Sequence, residues 1–106
     1  MENVLVDFNT LPWQSPAAGV RFKVVKKAGK QLRLVEFSKE FEEKDWCGRG
    51  HIGYVLQGEM ALNFSGHIKY YQSGQGLFIP GGQKYKHKLI VLKECTRLIL
   101  VEEAEN

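Results

Sequence analysis

Several absences bound this chain before any residue is singled out. It has only two cysteines, Cys47 and Cys95, with no C-x-x-C and no zinc-knuckle spacing. A secreted disulfide scaffold and a structural zinc finger are therefore not indicated, and a reducing, cytoplasmic setting is expected. No apolar run approaches the ~18 residues of a membrane-spanning helix. The opening "MENVLVDFNTLPW" has neither the basic start nor the long apolar stretch of a signal peptide. Net charge is +3, too small by itself for a nucleic-acid-binding footprint. There is no G-x-S-x-G, no phosphate-cradling G-x-x-x-x-G-K-[ST], no internal repeat and no low-complexity segment. Helix signals are nearly missing too. The best stretch, "FSKEFEEKDW" from Phe37 to Trp46, has only a loose resemblance to a capped start and is expected to be a turn or loop.

What remains is 106 residues, 43% apolar and 25% charged, the ordinary make-up of one globular domain able to bury a modest core. Its pattern is one of short alternating runs broken by Gly, Ser and Asn. "GVRFKVV" puts Val20, Phe22 and Val24 on one side and Arg21 and Lys23 on the other. "QLRLVEF" follows a turn around Gly29, "HIGYVLQ" and "EMALNF" flank Gly58, and "HIKYY" follows a tight Ser65-Gly66 turn. "GLFIP" is stopped by Pro80-Gly81-Gly82; "KYKHKLIV" and "CTRLILVE" complete the series, and the chain frays into "EEAEN". Eight or nine short strands predict an all-β domain: a sandwich, barrel or jelly roll. The expected layout is one domain over 1–106, with an N-terminal arm or strand at 1–17, the barrel at 18–102 and a tail at 103–106. The strands at Ile52 to Leu56 and Leu98 to Val101 are apolar on both parities, so either the segment "VLVDF" or a second subunit should cover their outer face.

The candidate chemistry lies on inward parities. His51 shares a face with Gly53 and Val55, and the small Gly53 suggests room for a cavity. Tyr85 and His87 share the apolar parity of "KYKHKLIV", opposite Lys84, Lys86 and Lys88. Two strands therefore offer imidazoles to one interior. If "CGRG" stays extended, Cys47 and Asp45 join the parity of His51. Neutral imidazole is the commonest protein metal ligand, and a thiolate and a carboxylate complete plausible zinc, iron, nickel, manganese or copper shells. Tyr85 is the candidate for acid–base work or for a hydrogen bond to a bound ligand. Taken singly, a histidine on an apolar strand is more often a hydrogen-bonded core residue, and a cysteine a small buried hydrophobe. His67 shares parity with Lys69 and is expected in solvent. The carboxylates of "KEFEEKD" look like a surface run.

These residues also carry a family resemblance. Gly74, Pro80 and Gly82 match the spacing of the second motif of the cupin superfamily, and Tyr85 falls where that motif places a histidine. Gly58 matches the end of the first motif if His51 takes the glutamate position. The two upstream histidine positions then fall on Asp45 and Cys47, and the leading glycine on Lys39. The chain thus resembles a small cupin with degenerate metal-binding motifs, over about Asp45 to His87. The resemblance implies a jelly-roll β-barrel and a homodimer. It also implies a pocket drawn from Asp45, Cys47, His51, Tyr85 and His87, with His51, His87 and Cys47 as metal ligands. Two functions follow as expectations: a metal-dependent protein acting on a small polar metabolite, or a metal-free small-molecule binding or sensor domain. No nucleic acid or membrane partner is expected, because +3 is weak and Tyr85 points inward on this parity.

Overall fold

The computed structural model describes residues 3–104. Nine strands form two antiparallel sheets. They are β1 (Gln14–Ala17), β2 (Val20–Lys27), β3 (Lys30–Phe37), β4 (His51–Gln57), β5 (Glu59–Phe64), β6 (His67–Gln72), β7 (Gly76–Ile79), β8 (Lys88–Val91) and β9 (Thr96–Glu103). The larger sheet runs β1-β2-β3-β9-β4-β7 and the smaller β6-β5-β8. This is an all-β jelly roll, and Phe37 to Trp46 holds no helix. β9 runs to Glu103, one residue past the barrel boundary expected at 102.

Alternation builds the core. Val35, Val55, Met60, Leu62, Leu77, Ile79, Leu98 and Leu100 form one buried cluster, drawn from both sheets. Each sits at a strand position whose neighbours point the other way, as a two-sheet packing requires. Hairpin chemistry fixes the register. Ala28-Gly29 and Ser65-Gly66 all have positive φ, the mark of two-residue primed turns, and they join Lys27 to Lys30 and Phe64 to His67.

The inward parity of the large sheet changes character at one end. In β9 the buried positions run Thr96, Leu98, Leu100 and then Glu102; in β3 the same face carries Gln31 and Arg33 before Val35. Gln31 pairs with Glu102 across the ladder. One end of the interior is therefore polar, and His51 opens β4 at that end.

Two expectations are corrected. Gly53 does not open a cavity: a Cβ there would meet Ile99 O at 2.4 Å and Leu100 Cδ2 at 2.6 Å, so the glycine admits the close approach of β9. The N-terminal segment does not cover the outer face of β4 and β9 either. Its Val4 and Leu5 are themselves exposed, and the arm is tied to β2 through Lys23 Nζ to Phe8 O and Lys27 Nζ to Asn3 O, both 2.7 Å. Among the described residues no helix is long and apolar enough to cross a membrane.

Candidate metal centre

The run "KYKHKLIV" is not one strand. Gly82 has φ of +113°, and Gln83–Tyr85 form a 3₁₀ turn before the chain straightens. β8 begins only at Lys88. The turn breaks the parity that joined Tyr85 to His87. Tyr85 swings to the surface and lines a different cavity, while His87 is only 3% exposed. The expected placement of Tyr85 in the pocket is thus corrected. Its contribution to the site is its backbone: His87 Nδ1 donates to Tyr85 O at 3.0 Å.

Cys47 and His87 form an isolated antiparallel bridge, each backbone N–H donating to the other's carbonyl at 2.9 and 3.0 Å. Directly opposed residues of such a pair place their side chains on the same face. His51 completes the group from the start of β4, with its ring centroid 5.2 Å from that of His87. Its Nε2 lies 3.6 Å from Cys47 Sγ. The donor atoms of Cys47, His51 and His87 all lie within 4.8 Å of one another. Asp45 does not join them. It is exposed at a bend two residues before Cys47, so its expected place in the pocket is also corrected.

The surroundings orient the donors. His51 Nδ1 donates to Glu102 Oε2 at 2.5 Å, and the Glu102 side chain is fully buried. Glu102 also accepts from Gln31 Nε2 at 2.9 Å and from Arg33 Nε and Nη2 at 2.6 and 2.8 Å. Both histidines thus commit Nδ1–H outward, one to a carboxylate and one to a carbonyl, which leaves both Nε2 atoms for a ligand. That tautomer is the one metal-bound histidines adopt, with the outer hydrogen bond raising their basicity.

Electrostatics reinforce the picture. The hydrogen bonds of His51 and then His87 pull the Cys47 thiol down to about 5, against the opposing cost of burial. Burial disfavours charge on His51, but its bonds to Cys47 and Glu102 outweigh this and raise it to about 9. Burial also works against an ionised Glu102, yet the bonds from His51, Arg33 and Gln31 hold it well below the usual carboxylate range. Without a metal, these two opposite shifts favour a thiolate–imidazolium pair of Cys47 and His51 at neutral pH. A divalent cation would replace the imidazolium proton as the partner of the thiolate. The residues present therefore fit a transition metal: two imidazole nitrogens and a thiolate suit zinc, iron, nickel or copper better than magnesium or calcium.

Above the donors is a cavity of about 280 Å³. Met60, Leu62, Leu98 and Leu100 make its apolar wall, and Arg33, Arg49 and Glu43 add polar groups. Glu43 belongs to the run expected at the surface. It is instead half-buried, with Oε1 accepting from Leu89 N at 2.8 Å, and burial raises its carboxyl. Glu43 and Glu102 are thus the site residues that the sequence had not marked. The signal for Glu102 was its parity with Leu98 and Leu100. Glu43 had none, because it lies in irregular chain.

No family model and no curated protein matches this chain. Solved structures do. KdgF from Halomonas sp. superposes with a TM-score of 0.76 at 20% identity, covering 92% of each chain. An RmlC-like cupin from Shewanella frigidimarina gives 0.77 at 15% identity, over 99% of this chain and 94% of that one. HppE in its Fe(II) form gives 0.73 at 11% identity, over 94% of this chain and 60% of its own. The fold that the sequence motifs resemble is thus the fold of the structure: this chain has the cupin fold. Within that fold its own donor set is Cys47, His51 and His87, carried by an irregular segment, the start of β4 and the approach to β8.

Proposed function

We propose that this chain is a metal-dependent cupin whose Cys47, His51 and His87 hold one divalent transition metal and present its open face to a small polar metabolite. The observation that carries the proposal is the pinning of both histidines at Nδ1, which leaves two Nε2 atoms and a thiolate within 4.8 Å beside a cavity. Held by Cys47, His51 and His87, such a metal would leave room for water or substrate and would supply Lewis acidity or redox chemistry there. The chain's own residues supply the rest. Arg33 and Arg49 offer positive charge at the cavity wall, and Glu43, held by Leu89 N–H, is placed to take or give a proton. The iron form of HppE, similar in fold, supports iron as one of the metals to test. Elemental analysis of untagged protein should find one metal per chain in the wild type and none in His51→Ala or His87→Ala. Absence of stoichiometric metal after reconstitution refutes the proposal.

The competing function is a metal-free binding or sensor domain. The thiolate–imidazolium pair favours it, since Cys47 and His51 satisfy each other without a cation. A metabolite that raises the melting temperature of chelator-treated protein as much as that of untreated protein would select it.

We also propose a homodimer through the outer face of β4 and β9. Ile52 (47% exposed) lies opposite Val101 (39%) in the ladder, and Tyr54 (48%) continues the face. A monomer by light scattering at micromolar concentration contradicts this.

A further inference from the structure

A second cavity, of about 400 Å³, lies between β6 and β7, the outer strands of the two sheets, which share no ladder. On β6 the parity that reaches the core at Tyr71 continues outward through Lys69 to His67. Phe64 and Tyr71 form the inner wall, and Lys84 and Tyr85 from the 3₁₀ turn close the other side. Lys84 Nζ stands 5.7 Å from the centre of the Tyr85 ring. No carboxylate is among the nine lining residues. The Lys69 ammonium has no hydrogen bond or ion pair among the described residues.

Lysines on an edge strand commonly serve to repel other strands. Here Lys69, on the edge strand β6, and Lys84, in the turn after β7, rim a concave space walled by four aromatic rings, Phe64, Tyr71, Phe78 and Tyr85. Ligand sites have this composition: an apolar body with a few convergent polar groups, in volumes of about 300–1,000 Å³. The rings offer stacking surface, and two ammonium groups with no local acid offer net positive charge. From this juxtaposition we infer that the groove between β6 and β7 binds a small planar aromatic anion, a one- or two-ring body bearing a carboxylate or sulfonate. The groove is separate from the metal centre. Phe64, whose ring centroid is 5.6 Å from that of His87, and Ile79 stand between the two cavities. The inference does not depend on metal binding.

The probe is naphthalene-2-sulfonate, titrated into ¹⁵N-labelled protein and followed by amide shifts. Saturable shifts should centre on Lys69, Tyr71, Lys84 and Tyr85. The uncharged 2-naphthalenemethanol should bind about tenfold or more weakly, the equivalent of one lost charge-assisted contact. Lys69→Ala with Lys84→Ala should also lose at least about tenfold. Both lysines are exposed, so the double variant keeps the fold, which its spectrum verifies. Cys47→Ser should bind as the wild type does. No saturable binding up to the probe's solubility overturns the inference. So does equal affinity for the alcohol, an unchanged double variant, or shifts centred on Cys47 and His51.

Discussion

Replacing Glu102 with glutamine tests the scaffold of the centre with almost no change of shape. In the wild type, Oε1 accepts from Gln31 and Arg33 Nε, and Oε2 accepts from Arg33 Nη2 and His51 Nδ1. A glutamine side chain must put its NH₂ in one of these places. Either choice sets a donor against two donors and leaves the Arg33 guanidinium, itself 18% exposed, without a counter-charge. Unsatisfied buried donors cost about 1–3 kcal/mol, and breaking a buried pair about 3–5, so a loss of about 3 kcal/mol is expected. Urea unfolding of metal-free protein at neutral pH measures it as a lower midpoint at unchanged slope. The sign with pH follows from the depressed carboxyl. The stability it contributes is present above its ordinary value of 4.5 and is lost as pH falls through the lower folded value, so wild type and variant should converge in acid. Metal affinity should fall about 10–100-fold, because the partner that fixes the His51 tautomer is weakened. A variant as stable as the wild type, within about 0.5 kcal/mol, would refute the account of this network.

Other consequences are independent of that one. In metal-free protein the rate of Cys47 alkylation should rise with an inflection near pH 5, and His51→Ala should move the inflection upward; an unmoved inflection would detach Cys47 from His51. On the outer face, Glu36 bonds Arg21 and Arg97 from the two flanking strands. Burial opposes its charge, but the bonds from Arg21 and Arg97 hold its carboxyl below the ordinary value. Glu36→Gln should therefore cost about 1 kcal/mol at neutral pH, limited by the exposure of both arginines, with the difference from wild type shrinking in acid. Gly53→Ala should destabilise by about 1–3 kcal/mol, because its Cβ meets the backbone of β9, and thermal unfolding reads this directly.

The fold was legible because alternation is a local signal. Every strand from β2 to β9 overlaps a run that could be read from its apolar period and its Gly, Ser or Pro borders. Parity also led to His51 and His87. It failed at Tyr85 because Gly82 starts a turn, and a turn resets which face the next side chain takes. It failed at Asp45 because the chain before Cys47 is irregular, so counting by twos has no meaning there. Glu102 shows the opposite case. It shares the parity of Leu98 and Leu100, but as the first residue of "EEAEN" it read as part of a fraying acidic end. Only its partners Gln31, Arg33 and His51, distant in sequence, explain a carboxylate there. The stretch "KYKHKLIV", expected as one strand, is a turn, a buried histidine and a short strand.

The central claim is that Cys47, His51 and His87 together bind one metal ion. Reconstitution of chelator-treated protein with Co²⁺ tests it most directly, since a bound thiolate gives a sulfur-to-cobalt charge-transfer absorption that imidazole and carboxylate ligands do not. This absorption should saturate at one equivalent per chain, disappear in Cys47→Ser and collapse as acid protonates the ligands. Cobalt that binds without the band, or a band unchanged in Cys47→Ser, would contradict the claim.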